Sequence, residues 1–103
     1  MTDERIKTER KIRDRDRRFA LGNIRIGPRA LAKLPVEDVL TALGRHAAGD
    51  WGDCDAKQWA ENDSGVEQDW RLLSVYHDRH GTRFWILTDV VRCFTTIMLP
   101  EEF

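Results

Sequence analysis

A chain that works on phosphodiesters needs a proton-transfer group near neutral pH, cations for the phosphate, and donors for a developing oxyanion. Four residues of suitable type are His46, Tyr76, Arg92 and Thr96, with Arg71 and Arg83 as further phosphate-binding candidates. His46 follows Leu43 by three positions, on the flank of an apolar helical stripe. There it is either an acid/base delivered to the edge of a sheet or a histidine that packs and hydrogen-bonds at a helix C-terminus. Arg71 and Arg83 fall on the same face of two strand-like segments as Leu73, Val75, Trp85 and Leu87. Arginines beside an aromatic ring can clamp phosphate and stack on a base; they can also merely cover apolar strand residues with their stems. Alternation places Ser74, Tyr76 and Thr88 on one face and splits Thr95 from Thr96.

Other chemistries find less support. His77 and His80 are three apart across a turn, Cys54 and Cys93 are far from both, and there is no CxxC or HExxH spacing. Asp50, Asp53 and Asp55 lack the order of a calcium loop. No phosphate loop, dinucleotide fingerprint or Gly-x-Ser-x-Gly occurs. No metal or organic cofactor is expected.

The elements that must position these residues read as follows. Phe19 to Ile26 is a short strand bounded by Gly27-Pro28, with an edge position or bulge marked by Gly22. Pro28 opens a short helix over 29–34. Val36, Val39, Leu40, Leu43 and Ala47 form one helical stripe, with Glu37 and Asp38 in the first turn, Arg45 and His46 in the last, and Gly49 as the stop. Asp53 or Asp55 caps a third helix reaching about Glu61, which Asn62-Asp63-Ser64-Gly65 breaks. From Trp70 the period becomes two: strands over 70–77, 82–88 and 93–99, joined by turns at 78–81 and 89–92, form an antiparallel meander. Helices followed by strands indicate an α+β fold, a short strand and two to three helices packed on a C-terminal meander.

The 103 residues carry 17 Lys+Arg and 18 Asp+Glu, a net charge of −1 that conceals a split. Residues 1–18 sum to +3 and residues 19–103 to −4. The first eighteen hold few large apolar residues and read as a charged mobile arm or solvated helix, leaving 19–103 as a single domain. Two cysteines give no disulfide framework, which points to the cytoplasm, and no apolar run is long enough to span a membrane. With an acidic body, any phosphate-binding surface has to be a local cluster of arginines.

The segments 46–52 (HAAGDWG), 71–76 (RLLSVY), 81–89 (GTRFWILTD) and 92–103 (RCFTTIMLPEEF) resemble a group of small "plasmid-related" proteins carried on bacterial plasmids and integrated elements. More distantly, helices before a meander, with an Arg-bearing last turn and an FT-rich strand, resemble the barnase/RelE-like fold of small ribonucleases and toxins. The final turn here, Asp89-Val-Val-Arg92, lacks the barnase histidine, so RelE-like toxins are the nearer comparison. That resemblance implies a metal-independent endoribonuclease acting on RNA, with a possible antitoxin partner. For that chemistry the residue types around the meander assign His46 as base or acid, Arg71, Arg83 and Arg92 as phosphate clamps, and Tyr76 and Thr96 as hydrogen-bond donors.

An alternative is a non-catalytic anti-defence inhibitor (anti-CRISPR or anti-restriction). Asp50, Asp53, Asp55, Glu61 and Asp63 would then fill the nucleic-acid groove of a host defence protein, with Trp51 and Trp59 as anchors. A third reading is a small interaction domain, a homodimer through Trp70 or an edge strand.

Overall fold

A computed structural model of the protein describes residues 17–103. The expected arm lies outside the described residues except for Arg17 and Arg18. Arg18 is tied to the body: its N–H donates to the Ala47 carbonyl at 2.8 Å and its guanidinium lies 3.6 Å from the Asp63 carboxylate.

The fold is α+β. In chain order it comprises β1 (Asn23–Ile26), α1 (Pro28–Lys33), α2 (Val36–Ala47), α3 (Ala56–Gln68), β2 (Leu72–His77), β3 (Arg83–Thr88), β4 (Phe94–Met98) and a 3₁₀ turn (Pro100–Glu102). The meander is present, β2 pairing with β3 and β3 with β4, both antiparallel. The sheet, however, has four strands in the order β1-β4-β3-β2, because β1 joins β4 in parallel from Asn23 opposite Phe94 to Ile26 opposite Ile97. All three helices intervene between these partners, so no local pattern could announce the pairing.

Alternation sorts the strands into two faces. The inner face presents Leu72, Ser74, Tyr76, Phe84, Ile86, Thr88, Thr95 and Ile97, all buried. Helix α2 covers it with Val39, Ala42, Leu43, His46 and Ala47. The buried stripe is therefore rotated from the expected one: Val36 is 65% exposed, and Ala42 and His46 take up the contact.

Helix α3 does not end at Glu61. Asp55 caps it, accepting from the Gln58 N–H at 2.8 Å, but it continues to Gln68 and closes on left-handed Asp69. The residues read as breakers are held in the helix by tertiary contacts. Asn62 donates from Nδ2 to the Leu73 carbonyl at 2.7 Å and accepts from the Leu73 N–H at 3.1 Å, while Asp63 accepts from Trp51 Nε1 at 2.9 Å. Gly65 lets the helix approach so closely that a Cβ there would lie 3.0 Å from Leu72.

These contacts also close the free edge of β2. Asn62 substitutes for a neighbouring strand at Leu73, and the loop before α3 does so at Val75, where the Trp51 carbonyl accepts at 3.2 Å and the Asp53 N–H donates at 2.6 Å. An edge strand so covered has no ladder groups left at Leu73 and Val75 for a second chain.

Candidate functional site

The sequence-derived residues separate into two sets on opposite sides of the sheet. His46 is fully buried. Its Nδ1 lies 2.5 Å from Ser74 Oγ and its Nε2 2.9 Å from Thr88 Oγ1; Thr88 Oγ1 lies 2.8 Å from Thr95 Oγ1, which bonds the Leu21 carbonyl at 2.7 Å. A carbonyl only accepts, so the order of protons along this chain is fixed. Thr95 donates to Leu21, Thr88 donates to Thr95, the imidazole donates from Nε2–H to Thr88, and Ser74 donates to Nδ1. Both ring nitrogens are spent. Phe19 and Trp51 meet the ring edge-on at 5.2 and 5.5 Å between centroids. Burial, and secondarily the Arg92 charge, lowers the His46 pKa to about 3, so the ring is neutral. His46 is the packing histidine, with no route to a substrate in this conformation.

Tyr76 is also interior. Its hydroxyl donates to the Asp50 carbonyl at 2.6 Å, burial raises its pKa well above the normal phenol value, and Arg45 lies 4.9 Å over its ring. Arg92 does not present its guanidinium to a ligand. Nη1 donates to the carbonyls of Trp70 at 2.7 Å and Asp89 at 2.8 Å, and Nη2 to that of Gly65 at 2.9 Å. It clasps the β3–β4 turn to the α3–β2 junction and sits at φ +59°.

The acidic cluster is largely committed to the fold. Asp50 bonds Arg45 Nε at 2.7 Å and the Gly52 N–H at 3.1 Å, and Arg45 first of all lowers its pKa. Asp55 caps α3, and Trp51, the expected anchor, is completely buried. Trp59 is half-buried on α3. Asp53, Asp55, Glu61 and Asp63 remain exposed, whereas Trp51 lies in the interior.

The remaining candidates, Arg71, Arg83 and Thr96, share the outer face of the sheet, where Met98 is buried and Phe103 packs on Trp85 while the other apolar residues stay partly exposed among the described residues. Successive rows across it follow from the register: His77 beside Arg83; Val75, Trp85 and Met98; Leu73, Leu87, Thr96 and Arg25; then Phe94 beside Asn23. Leu73, Val75, Trp85, Leu87, Phe94 and Thr96 are half-exposed. The Arg25 guanidinium lies 3.8 Å from the Phe94 ring centroid, Arg71 lies 5.8 Å from that of Phe103, and Phe103 meets Trp85 edge-on at 5.5 Å. Among the described residues Arg25, Arg71 and Arg83 form no ion pair, unlike Arg18, Arg29, Arg45 and Arg79. A cleft of about 340 Å³ opens beside Thr96 and Met98, floored by Gly27, Pro28, Arg29 and Glu102. The Glu102 carboxylate there accepts from the N–H groups of Arg29, Ala30 and Leu99 at 2.8–3.1 Å, and the Leu99 bond leads in holding its pKa down.

Arg71 and Arg83 are far apart along the strand direction. Arg83 pairs with His77, six residues along β2 from Arg71, or about 20 Å at the strand rise. They mark the two ends of the face. Sequence reasoning missed Arg25, Phe94 and Phe103, whose places depend on the parallel β1–β4 pairing and on the turn after β4. It also passed over His77 as an acid/base, although the hairpin turn at 78–81 puts it opposite Arg83. Comparison with protein-family models, with curated proteins and with solved structures finds no match for the chain. No helix among the described residues is long and apolar enough to cross a membrane.

Proposed function

We propose that the protein binds single-stranded RNA across the outer face of its sheet and cleaves it there as a metal-independent endoribonuclease of the toxin type. The observation that carries this reading is the interleaving, on one partly exposed face, of three arginines lacking carboxylate partners among the described residues with Trp85, Phe94 and Phe103. Unstacked bases bind aromatic and guanidinium planes, and the phosphates between them need cations. The acidic balance of the body does not oppose this, because many carboxylates are engaged elsewhere: Asp38 by Arg79, Asp50 by Arg45, Asp55 and Glu102 by helix N–H groups. Cations on the face would also offset the extra negative charge of a pentavalent phosphorus transition state.

The test is incubation of pure protein with a labelled single-stranded RNA in EDTA, beside Arg83→Gln and Trp85→Leu. Discrete fragments that both substitutions suppress support the reading. RNA left intact by the wild-type protein refutes it.

A further inference from the structure

We propose that His77, oriented by Asp53 and flanked by Arg83, is the catalytic residue that moves the proton during RNA cleavage at the hairpin end of the outer face; this rests on the function proposed above. His77 is the last residue of β2 and lies on the outward side, in line with Leu73 and Val75. Its Nδ1 is 2.8 Å from Asp53 Oδ2. A carboxylate can only accept, so Nδ1 carries the hydrogen, and in the neutral ring the lone pair is on Nε2. Unlike His46, whose two nitrogens are both spent inside the core, His77 is exposed and has one nitrogen uncommitted among the described residues.

The dyad is held in place. Asp53 donates its N–H to the Val75 carbonyl at 2.6 Å, and Gly52 before it passes against the Val75 carbonyl and Tyr76 ring at φ +70°, where no Cβ fits. The loop is thereby laid along β2 with its carboxylate at the height of His77. On the other side Arg83 is the direct cross-strand partner of His77, with a guanidinium that forms no ion pair among the described residues. Directly opposite residues of an antiparallel pair have Cβ atoms roughly 5 Å apart, so one phosphodiester can reach both side chains. Trp85 and Val75, the next row inward, give the adjoining base a platform. Acid/base, orienting carboxylate, cation and stacking ring thus meet within two rows of one face. The neighbouring charges do not intrude: Asp78 turns inward to accept the His80 and Thr82 N–H groups, and Arg79 is held by Asp38.

The step is a transesterification. The ribose 2′-oxygen attacks the adjacent phosphorus as its proton passes to His77 Nε2. The bond from phosphorus to the 5′-oxygen breaks, and that oxygen leaves with a proton returned from His77. The products are a 2′,3′-cyclic phosphate and a 5′-hydroxyl; nothing is oxidised or reduced and no co-reactant enters. Arg83 faces the charge that builds on the non-bridging oxygens.

The experiment measures single-turnover cleavage of a labelled RNA in EDTA by wild type, His77→Gln, His80→Gln, Asp53→Asn and Asp53→Glu, with products identified by mass. His77→Gln is expected to lose roughly 10²–10⁴-fold in rate, and His80→Gln, whose side chain is on the turn outside the site, to cleave like wild type. As a positioning residue, Asp53 is expected to show loss in Asn and partial rescue in Glu with an unchanged melting temperature. A substrate with one 2′-deoxyribose at the scissile position should resist cleavage there. Wild-type cleavage that persists in His77→Gln, or fragments ending in a plain 3′-hydroxyl, would overturn the assignment while leaving an RNA-cleaving protein. No cleavage by wild type would instead refute the function on which it rests.

Discussion

The buried imidazole of His46 makes the stability of the fold depend on pH over a range in which few other groups titrate. In the folded chain its pKa is lowered to about 3, chiefly by burial; unfolded, it returns to the ordinary histidine value of 6.5. Between those limits the unfolded state binds the extra proton, so stability falls as pH falls. Linkage gives a loss of about 2 kcal/mol between pH 7 and pH 5, approaching 1.4 kcal/mol per unit on the steep part. At pH 5 normal carboxylates are still mostly ionised, so this loss precedes that from Asp38 and Asp50, whose lowered pKa values, set first by Arg79 and Arg45, add acid sensitivity further down. With a urea m-value of about 1–2 kcal/mol per molar, the unfolding midpoint should drop by about 1–2 M. The assay is urea denaturation followed by tryptophan fluorescence at pH 7, 6 and 5, for wild type and His46→Leu. The variant starts lower, because Ser74 and Thr88 lose a partner, and its midpoint changes little over the same range. A wild-type midpoint that stays constant from pH 7 to pH 5, or a variant that keeps the wild-type slope, would refute the neutral buried histidine.

Two further expectations test the polar joints of the fold. Asn62→Leu strands the Leu73 N–H at the edge of β2 and should lower unfolding stability by about 1–3 kcal/mol, read by urea denaturation; a wild-type midpoint would mean that the edge is satisfied in another way. Arg92→Ala keeps the left-handed backbone and removes the clasp on three carbonyls, for a loss of about 1–3 kcal/mol, whereas Arg92→Gly should recover about 1 kcal/mol of it by relieving the positive φ. If Ala and Gly are equally destabilising, the strain at residue 92 contributes nothing.

What could be read in the sequence and what could not divide along physical lines. Strand alternation placed Ser74, Tyr76 and Thr88 on one face and separated Thr95 from Thr96, because pleat periodicity is local. Arg71 and Arg83 were placed on the outer face for the same reason. Propensity alone ends helix α3 near Glu61, because Asn, Asp, Ser and Gly disfavour helix interiors, and tertiary contacts of Asn62, Asp63 and Gly65 outweigh that preference and carry it to Gln68. His46 was legible as a candidate, but its sequestration depends on Ser74 and Thr88, 28 and 42 residues away. Arg92 stands in a turn where an arginine suggests a ligand. Its partners are carbonyls at Gly65 and Trp70, which no spacing rule connects to it.

The outer face poses a physical problem that its arginines solve. Half-exposed Leu73, Val75, Trp85, Leu87 and Phe94 make an apolar sheet surface of the kind that associates non-specifically unless shielded. Arg25 over Phe94 and Arg71 over Phe103 cover rings with guanidinium planes while keeping the charge in water. If shielding is their whole role, Lys in place of Arg, or a polar Gln, changes solubility alone. If the face holds RNA, each arginine that meets a phosphate releases a counterion, and the logarithm of the binding constant falls against the logarithm of salt with a slope near −0.7 per contact on a single strand. Arg25, Arg71 and Arg83 lie on separate rows and so meet different phosphates, which gives a combined slope of roughly −2. Each Arg→Gln substitution should flatten it by about 0.7, and each Arg→Lys should preserve the slope while weakening binding through loss of the planar stack. Fluorescence anisotropy of a labelled RNA across salt concentrations measures this directly, and a slope indifferent to all three Gln substitutions would reduce the arginines to shields.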